Sequence, residues 1–101
     1  MQQYSTSWKP KARREEKEIY DYYEVRKEGL GEEFLNEQER VETILTKYPK
    51  IYQIVHKNIR QAALKRFEYK ISFVVNETQK QIIIIAVTHN KRHERNWKAR
   101  G

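Results

Sequence analysis

Imidazole is the side chain best suited to moving protons near neutral pH, and this sequence carries three: His56, His89 and His93. His89 and His93 stand four residues apart, the two that are close enough in sequence to be considered together. An imidazole there could supply an acid/base group for cleaving a phosphodiester. The plainer reading of both is packing at a strand end or on the surface, and His56 falls in a connection where a structural role is expected. Carboxylates do not complete a site, because Glu68 and Glu77 lie on either side of a strand and nothing spaces them as a pair. The sequence has no cysteine, no His/Asp spacing suited to a metal, no glycine-rich phosphate loop and no serine nucleophile motif. No metal, cofactor or small-molecule substrate is therefore expected.

Charge says more than any single side chain. The chain of 101 residues has a formal net charge of +7, and the excess is unevenly placed. Residues 1–50 hold ten Lys/Arg against eleven Asp/Glu, whereas residues 51–101 hold eleven against three. Such an asymmetry usually marks a face that meets nucleic acid, an acidic membrane or an acidic protein segment, the plainer reading being a solvated basic surface that keeps a small protein soluble. No stretch approaches the roughly 18 to 20 apolar residues of a membrane span. Met1 to Trp8 lacks the apolar core of a signal peptide, so the cytoplasm is the expected compartment and no membrane partner is expected. The length suits one domain, residues 1–101, with a basic tail over 91–101.

The elements that must position these groups can be read from periodicity. Gln2 to Trp8 alternates loosely as a short strand, and Pro10 sits where a first-turn proline opens a helix. The first helix runs to about Glu28, with Ala12, Ile19, Tyr22 and Tyr23 near one stripe, and Gly29 stops it. From Glu32 the helical pattern resumes through Phe34, Gln38, Val41, Leu45 and Tyr48, and ends before Pro49. Ile51, Tyr52, Ile54 and Val55 read as an apolar connection, and Arg60 to Leu64 can start a strand. Tyr69, Ile71 and Phe73 alternate with Lys70, Ser72 and Val74 as a strand with one buried face. Asn76 to Gln79 reads as a hairpin turn, and Ile82 to Val87 as a strand covered on both faces. The expected fold is α+β: a helical hairpin packed on a twisted, mainly antiparallel four-stranded sheet in the order β-α-α-β-β-β, the first strand laid beside the last meander.

That order and several local strings resemble the RelE/ParE toxins of bacterial type II toxin–antitoxin systems, closest to the ParE-like branch. The strings are Glu18-Ile19-Tyr20-Asp21-Tyr22-Tyr23; Gly29-Leu30-Gly31 followed by Phe34-Leu35; and Tyr48-Pro49 with Tyr52 beyond. Then come Ile59-Arg60-Gln61-Ala62 leading to Phe67-Glu68-Tyr69, the strand Ile84-Ile85-Ala86-Val87, and His89-Asn90-Lys91-Arg92 through to Trp97. The resemblance spans Tyr4 to Trp97 and rests on order and spacing together. Two departures stand out. Glu16 replaces the leucine that family members commonly place in the first helix's apolar stripe, and a slight rotation that exposes it is expected. Asn90 to Asn96 lacks the aspartate-proline pair often seen there.

What the resemblance implies is a growth-inhibiting toxin neutralised by a cognate antitoxin, of the kind associated with plasmid stabilization. ParE-like members poison DNA gyrase without catalysis. On that reading the helical hairpin or the basic end engages the gyrase complex, with Arg60, Lys65, Arg66, Lys91, Arg92, Arg95, Lys98 and Arg100 as phosphate or partner contacts and Trp97 as an aromatic anchor. RelE-like members are ribosome-dependent, metal-independent messenger RNA endonucleases. By position, Lys70 stands where such enzymes carry a strand arginine, Lys91 or Arg92 near a second one, and Trp97 where they end in a catalytic tyrosine. Tryptophan cannot exchange that proton, and lysine lacks arginine's planar fork, so His89 would have to serve as the acid/base group. A third alternative is a degenerate, non-toxic member of the fold.

Overall fold

A computed structural model describes residues 3–91 together with Lys98 and Arg100. The chain runs from β1 (Ser5–Trp8) through α1 (Pro10–Arg26) and α2 (Leu30–Lys47) to a single 3-10 turn, Pro49–Ile51. It continues as β2 (Ile54–His56), β3 (Ile59–Ala63), β4 (Tyr69–Asn76) and β5 (Gln81–His89). The strands form one sheet in the order β1-β5-β4-β3-β2. β1 lies parallel to β5, and every other pairing is antiparallel. The helical hairpin on a mainly antiparallel sheet expected from the sequence is therefore present, with five strands among the described residues rather than four. The additional strand is β2, three residues from the apolar segment read as a connection.

Local chemistry explains the hairpin. Pro10 occupies the first helical turn of α1, where its missing N–H removes no hydrogen bond. Gly29 takes a φ of +89° between the helices, a region that costs an L side chain roughly 1 kcal/mol or more. The Glu24 carboxylate accepts the backbone N–H groups of Gly29 at 2.9 Å and Gly31 at 3.0 Å, so the end of α1 caps the start of α2. Gly31 is the point of closest approach: a Cβ there would lie 2.8 Å from the Tyr20 carbonyl oxygen and from its ring.

The hairpin buries Ala12, Ile19, Phe34, Val41 and Leu45 against Ile71, Phe73, Ile82, Ile84 and Val87 of the sheet. A fully buried side chain of this size contributes about 1.5 to 3 kcal/mol. Tyr23, Phe34, Phe67 and Tyr69 interlock at one end of this core with centroid separations of 5.0 to 6.2 Å. Burial, reinforced by Tyr69, holds the Tyr23 hydroxyl above the usual tyrosine pKa. On β5 the alternation is broken at Ile85, where Ser72 pairs with Ala86 but Phe73 with Ile84. This bulge puts Ile85 and Ala86 together in a second buried cluster with Ile59, flanked by Val74 and Ile83. The strand is thus buried on both faces, as its unbroken apolar run suggested.

Glu16 departs from expectation. Its side chain is 16% exposed rather than solvent-facing, and it accepts hydrogen bonds from the Gln38 carboxamide across the hairpin and from Arg13 at 2.9 Å. The helix does not rotate to expel it, because α2 offers a buried donor at the facing position.

Candidate functional site

The groups proposed for chemistry are distributed by strand register. β4 and β5 pair Tyr69 with His89 and Lys70 with Thr88. Successive residues of a strand point to opposite faces, so His89 lies with Tyr69, their rings 5.2 Å apart and edge-to-face, while Lys70 lies on the other face. The sheet stands between the two. Lys91 is exposed just past β5, and its backbone N–H donates to His89 Nδ1 at 3.1 Å. Arg92, His93, Arg95 and Trp97 lie outside the described residues.

His89 opens onto a small cleft of about 160 Å³ lined by Glu15, Glu18, Ile19, Tyr22, Tyr69, Val87 and Thr88. Sequence reading missed Tyr69, Glu15 and Glu18 as its neighbours; the one available signal was the strand pairing that sets Tyr69 beside His89. Among the described residues the lining includes two carboxylates and no lysine or arginine. Holding a scissile phosphate requires a cation at the site of developing charge. The described lining supplies no such cation, and Arg100, beside it, is paired with Glu15.

The basic candidates are spread over three regions. Arg60, half-buried on β3, donates through Nη1 to the Tyr52 carbonyl at 2.6 Å and ties β3 to the segment after α2. Lys65 and Arg66, exposed in the β3–β4 connection, face the first turns of α2. There Arg66 Nη2 meets Glu33 Oε1 at 2.6 Å, and the Lys65 backbone N–H donates to Glu37 at 2.9 Å. Glu37 is also gripped by the Arg40 guanidinium, which is the main reason its carboxyl is held down to about 2.

Arg100 is placed quite differently from a solvent-facing contact. Its guanidinium forks onto Glu15, Nη1 to Oε1 at 2.9 Å and Nη2 to Oε2 at 3.0 Å, and also donates to the Ile85 carbonyl at 3.2 Å. Glu15 Oε1 in turn accepts the Val87 N–H at 3.0 Å. β1 pairs with β5 only from Gln81 to Ile84. The Glu15–Arg100 pair therefore satisfies the edge of β5 where strand pairing with β1 ends, and both side chains are under a fifth exposed. Lys98 is half-buried.

No family model matches this chain, and no curated protein matches it in sequence. Among solved structures it is similar to a chain of the "Chromosomal ParDE TA system from P. aeruginosa", with a TM-score of 0.73 and 20% sequence identity, over 85% of this chain and 95% of that one. At this identity the likeness speaks for the fold. The chain thus shares its fold, a helical hairpin packed on a mainly antiparallel sheet, with that chain of a ParDE system.

Proposed function

We propose that this protein is the toxin half of a type II toxin–antitoxin pair, ParE-like in action, which arrests growth by engaging the DNA gyrase complex and is neutralised by a cognate antitoxin. The observation that carries the reading is the fold shared with a chain of a ParDE system over most of both lengths. The register of β4 and β5 adds support for a binding protein over a nuclease, since it separates Lys70 from His89 by the thickness of the sheet. Contacts to the target fall on the basic end: Lys91, Arg92, Arg95, Trp97 and Lys98, together with Lys65 and those faces of Arg60 and Arg66 not already committed to Tyr52 and Glu33. Basic side chains in this number attract a polyanion such as cleaved DNA. Among the described residues no helix is long and apolar enough to cross a membrane, and a cytoplasmic location follows from the proposed target.

The test is induced expression in a bacterial host with separate readouts of transcript integrity and the DNA-damage response. Growth arrest with a damage response and intact transcripts is expected. Arrest with transcripts cut at ribosome-occupied codons would instead make the protein a messenger RNA endonuclease, and no arrest would leave a non-toxic member of the fold.

A further inference from the structure

The outer side of the helical hairpin holds a groove of about 570 Å³, lined from α1 by Arg13, Glu16, Lys17 and Tyr20 and from α2 by Glu32, Leu35, Gln38, Glu39 and Glu42. Its charge runs against that of the molecule, with four carboxylates facing two cations in a chain whose net charge is +7. At its floor, Gln38 is only 2% exposed. The Gln38 Nε2 group donates to Glu16, but Oε1 is buried with no hydrogen-bond partner. A buried acceptor without a donor costs about 1 to 3 kcal/mol unless something supplies one. Of the carboxylates, Glu42 is already engaged by Thr6 and Trp8 of β1, and Arg13, itself stacked on Trp8, satisfies one oxygen of Glu16.

We propose that this groove is a receptor for an arginine side chain of the antitoxin. The inference rests on the reading of the chain as one half of a two-protein module and names the chemistry by which the other half is recognised. A guanidinium carries five N–H donors in a planar fork. Inserted between the helices, it can donate to the remaining lone pairs of Glu16 and, once the Gln38 carboxamide turns toward it, to the buried Oε1, while its aliphatic stem lies on Leu35 and the Tyr20 ring. An ammonium has no fixed fork and gives up its water less readily, so lysine fits less well. The acidic rim of Glu32 and Glu39 draws the cation in, and the rest of this basic molecule repels it. Specificity then comes from a polar floor that an apolar side chain at position 16 would erase.

The probe is ethylguanidinium, titrated at low ionic strength into the full-length isotope-labelled chain and followed by NMR. Saturable shifts confined to the Gln38 carboxamide and to Tyr20, Leu35 and Glu39 are expected, with ethylammonium binding more weakly. Glu16→Gln should weaken the guanidinium about tenfold, the order expected for losing a hydrogen bond to a charged group. Glu39→Gln, an exposed rim change with no structural burden, should weaken it by roughly two- to threefold. Shifts that do not saturate, that spread equally over Glu24, Glu33 and Glu77, or that survive both substitutions would overturn the site. The partner is tested separately, by the affinity of the protein encoded beside this chain: equal binding to wild type, E16Q and E39Q would overturn the arginine-receptor role. A chain that binds ethylguanidinium but causes no growth arrest would sink the toxin reading and leave the groove standing.

Discussion

The Glu15–Arg100 pair gives the sharpest quantitative handle on this molecule. Two parallel N–H to O contacts at 2.9 and 3.0 Å, with side chains 11% and 16% exposed, form a largely desolvated fork that salt screens only weakly. Removing one partner of a buried pair costs about 3 to 5 kcal/mol. The Arg100 side chain is 16% exposed and can turn further toward water when its partner is gone, which lowers the cost. Glu15→Ala also strips the acceptor from the Val87 N–H, so we expect a loss of about 2 to 3 kcal/mol. Arg100→Ala leaves Glu15 bonded to Val87 and should cost about 1 to 2 kcal/mol. For a domain of this size these values correspond to roughly 10 °C or more in Tm for Glu15→Ala and about half that for Arg100→Ala. The assay is urea unfolding followed by circular dichroism for the wild type, both single variants and the double variant. A coupling energy of at least about 1 kcal/mol is expected. If the single effects add, or if each falls below about 0.5 kcal/mol, the β5 edge is not closed by this pair and the argument fails.

Three further outcomes follow from the same reasoning. Gly31→Ala pushes a methyl group to 2.8 Å from the Tyr20 carbonyl, so it should destabilise by about 1 to 3 kcal/mol; an unchanged urea midpoint would mean that the helices part without cost. Glu37, with its carboxyl at about 2 against an ordinary 4.5, stabilises the fold fully above pH 4.5 and loses that contribution as pH falls toward 2. Glu37→Gln should therefore flatten the acid limb of the stability curve in that window, and an unaltered limb would contradict the Arg40 and Lys65 contacts. Lys70→Ala and His89→Gln, singly and together, should leave growth arrest within about threefold of wild type, because the two groups do not share a site; a loss of a hundredfold or more by either would point to catalysis.

Much of the fold was legible in the sequence because its signals are local. Pro10, Gly29 and Pro49 mark helix limits, and the apolar steps between them fix which faces turn inward. β2 was missed for a physical reason: Ile54 and Val55 are 53% and 44% exposed, so the strand is defined by its hydrogen bonds to β3 and shows no alternation of burial. Glu16 was misjudged because its donor, Gln38, lies 22 residues on in another helix. The site was harder still. Whether Lys70 and His89 share a face depends on a register that shifts at the Ile85 bulge, and a slip of one residue reverses the answer. The Glu15–Arg100 contact joins positions 85 residues apart, a distance over which no spacing rule operates.

The parallel pairing of β1 with β5, in which Ser5 meets Gln81 and Trp8 meets Ile84, also sets the order of events during synthesis. The helical hairpin can form early, since its contacts are local. Its apolar stripe of Ile19, Phe34, Val41 and Leu45 then has no sheet to rest on until β4 and β5 have left the ribosome. β1 waits longer still, through 76 residues of translation from Ser5 to Gln81, for the strand it must join. Until that moment the nascent chain presents a sticky hairpin and an unpaired strand, open to proteolysis and misassociation. Any protein made alongside it that favours this hairpin would find it first as an unfinished surface, before the molecule has acquired the shape with which it can act on anything else.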